Sequence, residues 1–259
     1  MGPAVATAQE AARDTSRAPT IVVTATRAAM PASSVPAAVT VLHAEDLRLR
    51  GITTVGDALN DVSSAYIAQT GAQGGTTSLF LRGGESKYVK VLIDGVPVND
   101  PGGAYDFASL TLDNADRIEV VRGRVSVVHG ADAVTGVVQI ITKTGGGAER
   151  LDTDVRTGTV FGNSARSSKD LLDPSVGYSG ALQGGSFSLG FAGHRGDGLY
   201  AVNNRFFNRT TSALITMHPG ARSEYRLALH YADQQYNYPT NSAGDVVDDN
   251  AYRAEDRTS

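Results

Sequence analysis

The segment from Asp116 to Thr144 constrains the fold of this chain more than any other part of the sequence. It contains two β-type runs, Ile118–Val121 and Val134–Thr142, in which valine and isoleucine predominate. Such β-branched residues favour strands because their stiff χ1 angles suit a pleated surface. The connector between the runs includes Arg124–His129, which is long enough for one short helix. The sequence therefore predicts a strand, a short helix and a second strand, a unit too short for a dinucleotide-binding crossover.

The residues before this segment, from Val39 onward, have the pattern of a small α+β domain. Short apolar runs alternate with glycine-rich loops, and the run from Tyr88 to Asn99 indicates a hairpin because Asp94-Gly95 is a strong type I′ turn signal. We therefore predict a small mixed sheet with short peripheral helices. The other predicted elements are strands at Val39–Leu42 and Tyr66–Ala68 and helices at Ala44–Arg50 and Val55–Asp61.

Beyond the glycine triplet at 145–147, the composition and the hydrophobic period change. Of 17 aromatic residues, five precede residue 150 and twelve follow it. Apolar residues alternate with small or polar ones, which is typical of transmembrane β-barrel strands, although a half-buried soluble sheet has the same period. Short turns alternate with long polar connections at 161–176, 196–209 and 232–250, which favours the barrel. About five strands are predicted, near 151–160, 177–183, 186–194, 210–217 and 223–233.

The barrel interpretation also predicts which side chains of each strand point outward and which point toward the preceding domain. An incomplete barrel should form a curved, open antiparallel sheet whose convex side is apolar. The residues predicted to face outward are Phe187, Leu189, Phe191, Tyr225, Leu227 and Leu229, and those predicted to face the preceding domain are Ser188, Arg226 and His230.

Composition excludes several classes of function. The 259 residues carry a net charge of −4, which argues against a nucleic-acid partner because such proteins present a basic face. No apolar run reaches the roughly 18 residues of a transmembrane helix. No catalytic motif is present and the five histidines are scattered, so we expect no enzyme, no metal site and no cofactor. An acidic loop, Asp245 with Asp248 and Asp249, is interpreted as a solvated loop rather than a calcium site.

The motif R-I-E-V-V-R-G, followed by H-G-A-D-A-V-T-G-V-V-Q-I-I-T-K, closely resembles the end of the plug domain of TonB-dependent outer-membrane receptors. Arg124 replaces the usual proline and His129 the usual tyrosine, but the glycines and both strands are kept. Two further family motifs, L-F-L-R-G and K-Y-V-K-V-L-I-D-G-V-P-V-N, occur in the expected order. The resemblance extends from about Pro19 to the end of the chain and is strongest to the cobalamin-transporter branch.

The resemblance implies an organisation and a function. Residues 1–18 would be a disordered signal remnant, 19–36 a TonB box and linker, 37–145 the plug domain and 150–259 a partial barrel. The implied function is active uptake of a scarce chelate across the outer membrane, with TonB and its inner-membrane energising complex as partners. Cobalamin is the first expected ligand, and a ferric siderophore or haem is the alternative. A soluble periplasmic binding module that shares the plug fold remains open as another class.

An isolated β-type run follows Pro19, and the resemblance identifies it as a TonB box. Such a strand would add to a sheet of TonB, because unpaired backbone groups invite pairing with another chain. An ordinary edge strand of the following domain is the alternative. The expected TonB-binding residues are Thr20, Ile21, Val22, Val23, Thr24 and Ala25.

The resemblance also implies two further sets of site residues. Arg82 and Arg122 occupy positions where the family places plug arginines that pair with barrel glutamates, a role that suits the bidentate guanidinium. The ligand would bind at the outward apex of the plug, on loops rich in uncharged hydrogen-bonding groups. The expected ligand-binding residues are Gln69, Gln73, Thr76, Thr77, Ser86, Lys87, Asn99, Asp100 and Tyr105.

Overall fold

The computed structural model describes residues 21–22, 24, 30–34, 37–71, 73–123, 126–130, 132–161, 168–197, 202–220, 223–241, 243–247 and 251–259. They form an N-terminal domain built on a five-stranded mixed sheet, followed by a wall of six antiparallel strands. Across these ranges, no helix has the length and apolar character needed to cross a membrane.

The N-terminal domain and the segment before it consist of short elements. The helices are α1 (Ala44–Leu49), α2 (Val55–Leu59) and α3 (Ser126–His129). The strands are β1 (Ile21–Val22), β2 (Met30–Pro31), β3 (Ala38–His43), β4 (Ala65–Gln69), β5 (Thr77–Leu81), β6 (Val89–Ile93), β7 (Val96–Pro97), β8 (Ala115–Arg122) and β9 (Gly136–Thr142).

Strands β8 and β9 lie at the centre of the five-stranded sheet, whose order is β3-β8-β9-β6-β7. Strand β9 runs parallel to β6 and antiparallel to β8, which confirms the predicted mixed sheet. The second strand of the segment begins at Gly136 rather than at Val134. The reason is that the amides of Val134 and Thr135 both donate to the carbonyl of Tyr88 instead of joining the ladder.

Both faces of the sheet are covered. Ile118 and Val120 of β8 lie in the main core, which includes buried residues of α1 and α2. Val121 and Val137 lie in a second cluster on the opposite face, where Val22 of β1 packs against them. Because strands buried on both faces need apolar residues on both, the centre of β8 and most of β9 are rich in valine and isoleucine.

Helices α1 and α2 both begin where predicted and end slightly earlier, at Leu49 and Leu59 rather than at Arg50 and Asp61. Helix α2 begins where the Thr54 hydroxyl accepts a hydrogen bond from the amide of Asp57 at 3.1 Å, satisfying a backbone donor that the helix leaves free. Helix α1 is followed by Gly51, whose φ of 78° places it in the left-handed region that terminates helices.

The hairpin between β6 and β7 has the predicted turn. Asp94 and Gly95 have φ angles of 49° and 88°, and a type I′ turn requires positive values at both positions. The Asp94 carboxylate also accepts hydrogen bonds from the Thr142 amide at 2.9 Å and the Thr142 hydroxyl at 2.7 Å. The turn is therefore tied to the end of β9.

The wall has six strands in chain order rather than about five. Its sixth strand was not predicted, and β11 and β14 extend into regions predicted to be polar connections. Polar residues continue these strands because their inward face meets a polar surface of the N-terminal domain. The strands are β10 (Arg150–Phe161), β11 (Ser168–Leu182), β12 (Gly185–Asp197), β13 (Arg205–Gly220), β14 (Ser223–Asn237) and β15 (Tyr252–Thr258).

The wall has an apolar face turned away from the N-terminal domain, as predicted. Tyr225 and Leu227 are 67% and 68% exposed, and Leu189, Phe191 and Leu229 are also exposed, while Phe187 is half-buried beside Tyr178. Of the residues predicted to face inward, Ser188 is buried against the domain. Arg226 alternates with the outward Tyr225 and Leu227 and lies opposite the buried Thr216, but it is exposed and pairs with Glu224 at 2.9 Å, while His230 is half-buried. The predicted open sheet of a partial barrel is confirmed.

The sequence predicts an isolated β-type run after Pro19, but the structure pairs this run with a second short strand. Among the described residues of this segment, Ile21–Val22 pairs antiparallel with Met30–Pro31. Val22 is fully buried against the second face of the sheet. Burying a valine side chain stabilises a fold by about 1.5–3 kcal/mol, which favours docking of this segment over extension into solvent.

Candidate functional site

The N-terminal domain contacts the wall through short polar side chains. Asn114 stands at the centre: its amide donates to the Ser212 hydroxyl at 2.9 Å, and its amide oxygen accepts from the Ser188 hydroxyl at 3.1 Å. A Cβ atom at Gly190 would lie 2.6 Å from the Cβ of Asn114, so only glycine leaves room for this contact. The contact is therefore specific in shape as well as in hydrogen bonding.

A charged cluster lies beside Asn114. His194 of β12 directs Nε2 to Asp113 Oδ2 of the N-terminal domain at 2.5 Å, and its Nδ1 lies 3.3 Å from Asp173 Oδ1 of β11. All three side chains are less than one-tenth exposed. Within the described residues Asp173 Oδ1 has no hydrogen-bond partner, so the second contact is an ion pair without hydrogen-bond alignment. The ring thus bridges the domain and the wall.

The electrostatics of Asp113 depend on this bridge. Burial alone would raise the pKa of its carboxyl, since it disfavours the charged form. The hydrogen bond and the charge of His194, together with the nearby positive charge of Arg156, outweigh burial and hold the pKa of Asp113 below its usual value. Asp113 is accordingly an ionised partner for the wall.

Two arginines of β15 contact the far end of the N-terminal domain, which the sequence identified as an apex. Arg257 donates to both carboxylate oxygens of Asp100, at 3.1 and 3.2 Å, and its guanidinium lies 5.0 Å from the centre of the Tyr105 ring. Arg253 donates to the Thr76 hydroxyl at 2.7 Å and to Asp106 at 3.3 Å. The sixth strand thus supplies the cationic side chains of this apex.

Glu255, between the two arginines on β15, contacts both of them. Beneath Arg257, burial raises the pKa of the Tyr105 hydroxyl above its usual value, against the opposing effect of the Arg257 charge. Tyr105 therefore keeps its proton and can donate a hydrogen bond. The apex combines two cations, three carboxylates and a neutral phenol in one cluster.

The loop between β4 and β5 fits closely against the wall. A Cβ atom at Gly74 would lie 2.5 Å from the Phe206 ring and 2.8 Å from Tyr236 Cβ. The carbonyl of Gly74 accepts a hydrogen bond of 2.8 Å from Gln234, whose side chain is buried. The loop is therefore held by wall residues at the point where the sequence predicted ligand contacts.

The structure divides eight of the nine predicted ligand-binding residues among three places. Thr76, Asp100 and Tyr105 meet at the arginine cluster. Lys87 and Asn99 line, with Asp100, a cavity of about 420 Å³. Gln69, Gln73 and Thr77 line, with Phe206 of the wall, a cavity of about 200 Å³. Ser86 begins a 3-10 turn beside Lys87 and lines neither cavity.

Two of these residues have structural hydrogen bonds that occupy their side chains. The Asn99 amide donates to the carbonyls of Val89 and Gly103, and its oxygen accepts from the amide of Val91 at 2.8 Å. The hydroxyl of Thr77 donates to the carbonyl of Gly75. Asn99 and Thr77 therefore shape the apex loops, whereas Thr76, Asp100 and Tyr105 face its charged surface.

The two arginines predicted to pair with barrel glutamates lie on one side of the domain. Arg122 donates to the carbonyl of Ser63 at 2.8 Å. Arg82 is exposed, and its guanidinium lies 3.2 Å from the position of a Cβ atom at Gly123. Among the residues that the structure describes, neither arginine forms an ion pair, so their pairing stays a prediction.

Three of the six predicted TonB-binding residues, Ile21, Val22 and Thr24, belong to the described residues, and the other three, Thr20, Val23 and Ala25, lie outside them. Thr24 is buried and bonded to Glu119 of β8. The TonB-binding role itself stays a prediction.

The sequence did not identify the residues that join the domain to the wall. Arg253 and Arg257 were missed because the outward residues of β15 include Asp256, which hides the strand pattern. The alternation of Arg253, Glu255 and Arg257 at every second position was the available signal. For His194 no signal existed, since a single histidine in a strand does not specify its partner.

Residues 31–137 match the TonB-dependent Receptor Plug Domain. This match confirms, over those residues, the plug predicted from the sequence motifs. The family consists of receptors and transporters rather than enzymes.

Solved structures of outer-membrane receptors share the fold of most of the chain. The ferripyoverdine receptor of the outer membrane of Pseudomonas aeruginosa, bound to ferripyoverdine, is 14% identical, with a TM-score of 0.70 over 93% of this chain and 33% of that one. The ferric citrate transporter FecA in its unliganded form is 22% identical, with a TM-score of 0.68 over 79% and 32%. A ferric enterobactin receptor mutant from Pseudomonas aeruginosa, in complex with enterobactin, is 19% identical, with a TM-score of 0.64 over 82% and 35%. The chain thus spans about a third of the length of these receptors, and the predicted outer-membrane localisation is confirmed.

Proposed function

The chain carries the plug domain of the TonB-dependent receptors, and from this premise we propose that it is part of a receptor that takes up a ferric siderophore with energy supplied through TonB. The observation that supports this proposal best is the position of the plug domain. It lies against the polar inner face of the wall, and the opposite face of the wall is apolar. A large exposed apolar face marks a contact with a membrane or another protein, which a soluble binding module would not require.

The proposed ligand is an iron chelate rather than cobalamin, which the sequence resemblance put first. The solved receptors of the same fold are named for ferripyoverdine, ferric citrate and ferric enterobactin. In addition, Arg253 and Arg257 lie at the apex, and guanidinium groups suit the anionic oxygens of siderophores. Cobalamin stays the second candidate, and the experiment below includes it.

We assign the ligand contacts to the apex surface formed by Thr76, Asp100 and Tyr105 beside the two arginines. An anionic chelate would compete with Asp100 for Arg257, because both offer oxygen acceptors to the same guanidinium. Such competition would free the loop that contains Asp100 from the wall. Through this competition, ligand binding would change the conformation of the plug domain.

The remaining site assignments are part of the same proposal. TonB would pair with the strand at Thr20–Ala25 by strand addition, in which main-chain hydrogen bonds supply the affinity. Arg82 and Arg122 would pair with glutamates of barrel strands outside this chain. The proposed domain boundaries are residues 19–36 for the box and linker, 37–145 for the plug domain and 150–259 for the barrel strands.

Uptake of radiolabelled ligands by cells tests this function. Cells that express the complete receptor should accumulate a ferric siderophore, and cells that lack TonB should not. Arg257→Gln should weaken uptake, whereas Arg209→Gln, on an exposed arginine of the wall, should not. Accumulation of labelled cobalamin with no ferric siderophore would reject the proposed ligand, and uptake without TonB would reject the mechanism.

A further inference from the structure

Asp106 connects three parts of the apex through one buried carboxylate. It precedes the 3-10 turn Phe107–Ser109 and is 8% exposed. Its Oδ1 accepts hydrogen bonds from the amide of Thr77 at 2.8 Å and from the amide of Ala108 at 3.0 Å. Its Oδ2 lies 3.3 Å from Nη1 of Arg253, on β15 of the wall. One oxygen therefore binds the plug backbone, and the other binds the wall.

The loop between β4 and β5 is attached to the wall beside this carboxylate. Nη1 of Arg253 also donates to the Thr76 hydroxyl at 2.7 Å, and the carbonyl of Gly74 accepts a hydrogen bond from a wall glutamine. Within the loop, the amide of Thr70 donates to the carbonyl of Thr76 at 2.9 Å. Arg253 thus holds the end of this loop, and Asp106 holds Arg253 against it.

The pair of Asp100 and Arg257 is built differently. The side chain of Asp100 is 47% exposed, and both of its oxygens accept from Arg257. Its loop is closed by backbone bonds of its own, since the amide of Gly103 donates to the carbonyl of Asp100 at 2.9 Å. Exposed ion pairs contribute little to stability, whereas a charged hydrogen bond at a buried carboxylate contributes more. The Asp100 pair is therefore the weaker of the two attachments.

We propose that Asp106 is a positioning residue: it holds Arg253, and with it the β4–β5 loop, on the wall whether or not the Asp100 pair is formed. Glu255 pairs with both arginines within β15, so each arginine keeps a carboxylate of the wall when its plug partner leaves. An oxygen ligand at Arg257 releases the loop that contains Asp100 and leaves the β4–β5 loop in place. This last consequence rests on the proposed function, whereas the two separate attachments do not.

Hydrogen exchange measures the two attachments separately in the complete receptor, in detergent and without ligand. Mass spectrometry of short peptides follows the amide of Thr70 in the β4–β5 loop and the amide of Gly103 in the loop that contains Asp100. Asp100→Asn removes the charge that pairs with Arg257 and should accelerate exchange at Gly103 by up to about fivefold, as expected for an exposed pair. Exchange at Thr70 should stay at the parent rate.

Asp106→Asn tests the positioning role directly. The asparagine keeps an oxygen for the two plug amides but turns an N–H donor toward Arg253, so the wall contact alone is lost. Exchange at Thr70 should be about tenfold faster, because a hydrogen bond between charged groups is lost. Exchange at Gly103 should be unchanged.

Three comparisons separate positioning from a general loosening of the loop. Asp233→Asn makes the same exchange beside Arg209, an exposed arginine of the wall, and should leave Thr70 at the parent rate. Arg253→Gln should accelerate Thr70 at least as much as Asp106→Asn does, and combining the two should cause no further change, because both remove one contact. Arg253→Lys keeps the charge and should exchange more slowly at Thr70 than Arg253→Gln.

The outcomes at Thr70 and Gly103 decide the proposal. Acceleration of both amides by Asp106→Asn, or of Thr70 by Asp100→Asn, would mean that the apex moves as one unit and would overturn the separate attachments. Exchange of Thr70 at the parent rate in Asp106→Asn, or additive effects in the double variant, would overturn the positioning role. None of these results depends on the ligand or on TonB, so the uptake experiment alone decides the proposed function.

Discussion

Replacing His194 with leucine should loosen the plug domain from the wall at one point without unfolding it. The substitution removes the group between Asp113 and Asp173 and leaves two buried carboxylates facing each other. Removing one partner of a buried ion pair costs about 3–5 kcal/mol. The charge of Arg156 still stabilises the Asp113 carboxylate, so we expect the lower end, about 3 kcal/mol.

Hydrogen exchange of the plug domain in the complete receptor measures this loosening. The relevant amides are those of Leu112 and Ala115, which donate to the carbonyls of Thr53 and Leu112. A loss of about 3 kcal/mol corresponds to roughly 100-fold faster exchange by local opening, since every 1.4 kcal/mol is tenfold. The amide of Val138, in the centre of the sheet, should keep its protection.

Two variants test the cause of the effect. Asp113→Asn combined with His194→Leu removes one of the two carboxylates and should exchange more slowly than His194→Leu alone. Arg50→Gln breaks the exposed ion pair with Asp61 elsewhere on the plug domain and should change nothing at Leu112 or Ala115. The reasoning is refuted if His194→Leu exchanges no faster than Arg50→Gln, or if the effects of Asp113→Asn and His194→Leu simply add.

Three further predictions concern the apex, the box and the plug domain. Gly74→Ala should weaken ligand binding at least tenfold in a titration, because the added Cβ atom would clash with the Phe206 ring. Gly71→Ala is the control: Gly71 also has a positive φ, but open space surrounds it, so ligand binding should not change. Equal effects of the two changes would contradict the close packing of this loop against the wall. Val22→Pro removes a backbone donor and should reduce TonB-dependent uptake, and normal uptake would argue against strand addition. Residues 37–145 should be soluble when expressed alone. Adding residues 19–36 should raise the free energy of unfolding, measured in urea, by about 1.5–3 kcal/mol, because Val22 becomes buried. Val22→Asp should abolish this gain.

The plug sheet could be predicted because its information is local. Valine-rich runs, the Asp94-Gly95 turn and the Thr54 cap each determine a few residues of backbone, and the motifs determine their order. The strand alternation likewise predicted which wall side chains face outward. Strand β15 was missed because an outward Asp256 removes the apolar alternation, although its backbone pairs with β14 from Tyr252 to Thr258.

Contacts between the plug domain and the wall could not be predicted, because they join residues about 80–180 positions apart in the chain. Asp113, His194 and Arg253 are unremarkable in their own segments, and only the register of the wall strands brings them to the domain. Such contacts depend on how far each strand is shifted against its neighbour. That shift is determined by the whole set of pairings rather than by any short motif.

The pair of Glu119 and Gln139 lies between these two cases. The sequence places Glu119 and Gln139 within the two apolar runs, and the antiparallel register brings them together. Arg117 of the same strand supplies one donor to Glu119, and a second donor comes from outside the sheet because buried polar groups need hydrogen-bond partners. The sequence did not identify Thr24, since any segment with a donor could have served. The N-terminal strand supplies the donor, and for that reason the release of this strand and the exposure of a buried carboxylate are one event.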